Sequence, residues 1–392
     1  MVCRRQRQQR RLKKLNLLLL ISFFHFYTTG HSQVISGAMQ FASPVVAKDS
    51  NSISLAYSNL FYFRDYEYFN RIQTGYTLFG TWQYPRLVLQ PNKWLRLEAG
   101  ALLQKDFGDK QLNRAWPMFS VQLQQKNLRI ILGALEGNQT HGLTEPLIGL
   151  DKVIERPIEE GLQVKFNTKR ITTDLWLDWE LRQKENSTSP EELTGGLALN
   201  FLLTKPGKPF EVKIPIGFIM PHKGGQLDTN SSVVTTVFDR SIGISAEWKN
   251  PDTKKWLRQV KGDAHFTGYT LFQDKNIYPY SKGSGFLVNF LVKSKLDLSF
   301  LVSYWNGDKY VAPRGADLFE SITSISGSNY KEADRQLLFF NLMYEKEFFP
   351  GFFIDARYSP YVDLNGNGKA EHAFLILFSY RNIFRLGTLK KG

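Results

Sequence analysis

Cysteine is nearly missing from this chain, whose 392 residues include only Cys3. Cys3 lies in a leader that the chain is expected to shed, which leaves the remainder without a thiol. A disulfide-stapled secreted domain, a cysteine-ligated zinc site, a cysteine nucleophile and a lipid-modified cysteine anchor are thereby excluded. Long hydrophobic runs are missing too: after the leader, no stretch reaches the ~18 apolar residues of a membrane helix. Catalytic motifs of fixed spacing are also lacking, with no G-x-S-x-G, H-E-x-x-H, P-loop or G-x-G-x-x-G. Histidine is scarce, and beyond the leader it is confined to His141, His222, His265 and His372.

Charge is one-sided only at the start. Arg4, Arg5, Arg7, Arg10, Arg11, Lys13 and Lys14 occur there without a single acid, and an apolar LNLLLLISFFHFY follows. Gly30 and Ser32 set small residues at the third and first positions before a cut at Gln33. This layout predicts a cleaved signal peptide over residues 1–32, followed by an N-terminal periplasmic segment over 33–51. The seven basic residues of the leader are half of the formal charge of +14, and the remaining +7 is scattered. Nucleic acid is therefore not an expected partner.

What is abundant is alternation. Leu95, Leu97, Ala99, Ala101 and Leu103 interleave with Arg96, Glu98, Gly100 and Gln104. Leu175, Leu177, Trp179 and Leu181 interleave with Asp174, Asp178, Glu180 and Arg182 in the same way. A period of two is the strand period. It predicts strands at 52–63, 76–90, 94–105, 116–125, 128–136, 160–167, 171–182, 192–203, 209–220, 232–248, 256–273, 283–293, 295–306, 335–346, 351–362 and 370–385. Short connections such as PNK (91–93) and KN (126–127) then alternate strictly with longer ones such as 137–159 and 307–334. That rhythm is expected of a membrane barrel, with turns on the periplasmic side and loops outside, and not of a soluble sandwich. Closure also removes the unpaired edges that lipid would penalise. Tyr57, Phe61, Tyr76, Trp82, Tyr84, Trp94, Trp179, Trp248, Trp256, Tyr304, Tyr344, Tyr358 and Tyr380 fall towards strand ends, as interfacial girdles do.

A chain of this pattern resembles the outer-membrane β-barrel proteins of porin type, and its loop-rich, aromatic-rich texture resembles those of the Gram-negative Bacteroidota. The resemblance covers nearly all of the chain after the leader. It implies an all-β fold, a closed antiparallel transmembrane barrel of about sixteen strands (roughly 14–18) over residues 52–392, located in the outer membrane.

Inward positions carry charges of both signs, and Arg96, Glu98, Arg129, Lys165, Asp174, Asp178 and Glu180 are the candidate pore-lining residues. The third outer loop adds Glu145, Asp151 and Glu155. In porins of this size that loop folds inwards, so the resemblance makes these three constriction acids, with Arg96, Arg129 and Lys165 opposite. The first loop, RDYEYFNRIQTGY, has aromatics that could stack on sugar rings, and the long seventh loop could fold over the mouth. In DLNGNGKAEHAF, Asp363, Asn365, Asn367 and Gly368 occupy the first positions of a calcium loop, but Phe374 stands where the closing Glu belongs. Period-two strands flank it, so it reads as a hairpin, and neither metal nor cofactor is expected.

The expected function is a porin-like channel for passive passage of small polar solutes, without enzymatic chemistry. The alternatives are an outer-membrane enzyme acting on lipid or surface polysaccharide, with inward-facing His265 paired to a Ser or carboxylate, or a barrel serving polysaccharide assembly or adhesion. Expected partners are outer-membrane lipid and small polar solutes, with a second copy of the chain or a surface lipoprotein as further candidates.

Overall fold

The computed structural model describes residues 36–41, 45–136, 141–183, 189–224, 234–272, 277–366 and 368–389. The expected signal peptide lies outside the described residues. The strands are β1 (Ser52–Glu67), β2 (Thr77–Gln90), β3 (Leu95–Asp106), β4 (Arg114–Gln125), β5 (Leu128–Ala134), β6 (Glu160–Asn167), β7 (Ile171–Leu181), β8 (Glu192–Leu202), β9 (Phe210–Lys223), β10 (Thr235–Lys249), β11 (Leu257–Leu271), β12 (Lys282–Ser294), β13 (Leu298–Asp308), β14 (Asp334–Phe349), β15 (Phe352–Asp363) and β16 (Ala370–Thr388). Each pairs antiparallel with its neighbours, and β16 returns to β1 to close the barrel. The seam runs from Ser52↔Thr388 to Glu67↔His372. Short turns alternate with long loops as the sequence predicts, and in outer-membrane barrels the long-loop end is the exterior.

The two faces of each strand have inverted exposure. Ile242, Ile244, Phe266, Phe290 and Phe300 point outwards and are exposed, whereas polar Ser58, Arg96, Asp174, Asp239 and Thr267 point inwards and are buried. A wall that shows its apolar side chains outwards is stable when lipid, not water, surrounds it. Trp94, Trp179, Trp256 and Tyr358 are exposed, as girdle residues require. Trp82 and Tyr84 are not girdle residues: they face inwards and are buried. Alternation alone missed this because both faces of β2 carry aromatics there.

Among the described residues, the N-terminal segment, loop three and loop seven all pack into the lumen. From the short-turn end the N-terminal segment enters, with Gly37 N donating to Glu345 Oε1 at 2.9 Å and Arg381 Nη1 donating to Gly37 O at 3.0 Å. Phe41 packs on Trp82 with ring centroids 4.5 Å apart. From the long-loop end comes loop three, which carries the short helix α1 (Leu150–Glu155). Its Val153, Ile154 and Ile158 meet Ala38 and Met39 of the N-terminal segment in one buried cluster. Loop seven fills the other side, where Tyr310, Val311, Leu318 and Phe319 pack around Trp305. The two loops interlock: Gly149 N donates to Arg314 O at 2.8 Å, and Tyr310 Oη donates to Pro146 O at 3.2 Å. Gly315 permits this approach, since a Cβ there would lie 2.2 Å from Pro146 O.

The loop predicted from DLNGNGKAEHAF is the β15–β16 hairpin. Asp363 Oδ1 accepts from Asn365 N and Gly366 N, both at 3.0 Å, so the carboxylate holds the turn. Asn367 lies outside the described residues.

Candidate functional site

Loop three is held against the barrel wall by His141. Its Nε2 lies 2.7 Å from Glu159 Oε2 and its Nδ1 lies 3.0 Å from Asp174 Oδ2. The ring stacks on Trp176 at 3.5 Å between centroids, with planes 9° apart. Burial alone lowers the imidazole pKa, but the two facing carboxylates outweigh it and raise the value from 6.5 to about 9. At neutral pH His141 is therefore an imidazolium, paired on both nitrogens. Around it Lys165 lies 3.4 Å from Asp174 and also pairs with Glu136, and Arg129 lies 2.5 Å from Glu136. Burial pushes the Glu136 carboxyl up, but Lys165 and Arg129 together hold it below its ordinary value. Three cations and three carboxylates thus balance in a largely buried site, which is what makes their burial tolerable.

The other predicted residues are also engaged. Asp178 is bound by both terminal nitrogens of Arg156, and Glu180 by Arg314 with Thr194 donating at 2.5 Å. Arg96 Nε donates to Glu98 at 2.6 Å, and Arg86 donates to the other Glu98 oxygen at 3.1 Å. Of the loop acids, Asp151 accepts from Tyr66 and Tyr76 and sits 3.7 Å from Arg64. Glu155 contributes its backbone oxygen, which accepts from Arg114 at 2.6 Å. Arg96 thus pairs with Glu98, Arg129 with Glu136, and Lys165 with Glu136 and Asp174, and not with the loop acids Glu145, Asp151 or Glu155.

A cavity of about 110 Å³ remains between loops three and seven and the wall formed by β1 and β11 to β15. Glu145 reaches into it, exposed to the cavity although protein surrounds the site. That burial pushes its carboxyl up, against the opposing pull of Arg64 and Arg357. The space suits water or a ligand of a few atoms.

His265 does pair with a carboxylate, with Nε2 3.1 Å from Asp263 Oδ1. Asp263 borders the cavity, but the imidazole is buried, and its Nδ1 lies 2.6 Å from where a Cβ on Gly243 would stand. Nδ1 has no hydrogen-bond partner among the described residues, but the ring is only 1 % exposed, so a substrate does not reach it in this structure. His222 and His372 lie on the outer side of the long-loop end. His222 Nδ1 is 2.8 Å from Thr236 Oγ1, while His372 packs on Tyr358 and Phe374.

The family model described as Lipid A 3'-O-deacylase-type matches residues 45–389. The chain belongs to that family. None of the curated proteins matches it. Among solved structures it is similar to OmpTdeltaL8, a loop-deletion mutant of OmpT from Vibrio cholerae, with 12% identity, a TM-score of 0.51, and coverage of 84% of this chain and 100% of that one. It is also similar to OprD of Pseudomonas aeruginosa, with 9% identity, a TM-score of 0.48, and coverage of 90% and 98%. At such identity the first of these is a likeness of fold, that of an outer-membrane barrel.

Membership in the Lipid A 3'-O-deacylase-type family overturns the expectation that the protein is not an enzyme, because the family is one of enzymes. The sequence hid this for a physical reason. Spaced motifs mark sites built on one turn or helix, whereas a barrel assembles its groups from separate strands. His222 and Thr236, for example, are partners on β9 and β10 only through strand register. The filled lumen did leave a signal in the sequence: Leu60, Tyr62, Trp82, Leu102, Trp176 and Trp305 are bulky residues at inward positions, where a wet pore has no use for them.

Proposed function

We propose that the protein is an outer-membrane hydrolase that cleaves an acyl ester of lipid A, the reaction class of its family. The carrying observation is His222, which among the described histidines alone sets a ring nitrogen against a hydroxyl, at 2.8 Å, on the lipid-facing side of the long-loop end. That is the end facing the outer leaflet, where an acylated glycolipid is presented. His222 Nδ1 takes the Thr236 proton as the hydroxyl oxygen attacks the ester carbonyl, and the departing sugar hydroxyl receives that proton. Water then releases the fatty acid from Thr236 by the same base. The inward side chains, which pack on loops three and seven and pair with one another, support this reading over a solute channel.

Mass spectrometry of lipid A from cells making the wild type, H222Q and T236V tests it. The wild type is expected to shorten lipid A by one acyl group, and both variants to leave it intact while still folding. Unchanged lipid A in wild-type cells sinks the proposal. Loss of hydrolysis in H141Q together with its retention in H222Q moves the base into loop three.

A further inference from the structure

An outward-facing arginine interrupts the apolar wall. Arg240 of β10 is exposed on the lipid side, and below it on the same face come Ile242, Ile244, Ala246 and then Trp248. Eight residues of a tilted strand span roughly 20 Å, against an apolar band about 25 Å tall. With Trp248 in the girdle at the short-turn end, Arg240 stands at the opposite edge of the band, at the depth of outer-leaflet headgroups.

Its side chain is held in place there. Nη1 donates to Thr270 Oγ1 at 3.0 Å, and the guanidinium carbon lies 5.5 Å from the Phe238 ring centroid. It lies across β11 at Gly268, where a Cβ would come within 3.0 Å of that carbon. Glycine there leaves the shelf on which the flat group rests. Among the described residues, no carboxylate is within ion-pairing distance of Arg240, in contrast to the inward cations Arg96, Arg129 and Lys165. Lys282 pairs with Thr270 across the β11–β12 ladder and is also exposed, which sets a second cation beside the first. Phe218, Phe238 and Phe272 form an aromatic row alongside.

We propose that Arg240, with Lys282 and the Thr270 hydroxyl, docks the phosphate of a phosphorylated glycolipid of the outer leaflet, on the outer wall of β10 to β12. A guanidinium fixed by one hydrogen bond keeps further donors for a phosphate, which it meets in a bidentate fork that an ammonium cannot reproduce. The aromatic row lies where sugar and first acyl carbons meet the wall. The inference rests on the proposed function only for the class of lipid, and binding is read without turnover, so either can fail alone.

The test uses the full barrel in nanodiscs titrated with bis-phosphorylated lipid A and with the same lipid stripped of phosphate. Bound lipid is counted by native mass spectrometry. The wild type is expected to prefer the phosphorylated lipid, R240Q to lose about tenfold in affinity for it and none for the stripped form, and R240K to fall between them. R258Q, an outward arginine at the short-turn end, is expected to bind as the wild type does. The heat-dependent gel shift of folded barrels checks each variant, and K282Q serves if R240Q does not fold. Equal wild-type affinity for the two lipids overturns the proposal, as does unchanged binding in both R240Q and K282Q, or an equal loss in R258Q.

Discussion

Replacing His141 with glutamine removes the cation at the centre of the loop-three anchor. Glu159 then loses the imidazole 2.7 Å away, while Asp174 keeps Lys165 and Gln163. Breaking a buried ion pair from one side typically costs about 3–5 kcal/mol. The proton equilibrium gives a similar figure: a rise in pKa from 6.5 to about 9 is worth roughly 3 kcal/mol, at about 1.36 kcal/mol for each pKa unit. The folded state binds the proton more tightly, so this contribution is fully present below pH 6.5 and is lost as pH rises through about 9. Urea unfolding of vesicle-inserted barrel, followed by tryptophan fluorescence, measures it. H141Q is expected to be about 3 kcal/mol less stable than the wild type at pH 6, with the gap closing to under about 1 kcal/mol at pH 9.5. A gap of the same size at both pH values refutes the reasoning, as does one below about 1 kcal/mol at pH 6.

The wild-type barrel is expected to give no conductance steps in planar bilayers, whereas G315V, which forces a Cβ against Pro146 O, produces them by parting loops three and seven. M39A empties part of the cluster that joins the N-terminal segment to loop three and lowers the urea midpoint by the equivalent of about 2–5 kcal/mol. Burial, with Asp317 adding to it against the Ala312 N–H bond, raises Glu320 to about 8. A raised carboxyl pKa makes stability fall as pH rises from the ordinary carboxylate range through 8. E320Q should therefore be more stable than the wild type in urea at pH 9 and differ little at pH 4.

Strand positions were legible because lipid enforces alternation on every strand. The predicted range 160–167 coincides with β6, and 171–182 differs from β7 by one residue. The largest miss among the early strands is at β1, which runs on to Glu67 because its last residues pair with β16 instead of looping out. Alternation says less about what fills the interior. An inward Arg96 looks the same in sequence whether it lines water or meets Glu98 two residues along the same strand. Contacts such as Tyr310 with Pro146 join residues 164 positions apart, and no local pattern encodes them. The alternatives fared unevenly at His265: its carboxylate partner was foreseeable from the i, i+2 spacing to Asp263, but the closed surroundings were not.

The N-terminal segment also bears on how the barrel comes together. It immediately precedes β1, yet it grips Glu345 of β14, Phe353 of β15 and Arg381 of β16. The seam that must form last in sequence terms joins residues more than three hundred positions apart, such as Phe61 and Phe378. Bringing such distant ends together is the slow, entropically opposed step of barrel assembly. In the closed barrel the docked tail holds β1 beside the final strands from the inside, in addition to the seam hydrogen bonds. The seam of the cylinder is therefore braced from within, by a segment that is also part of its filling.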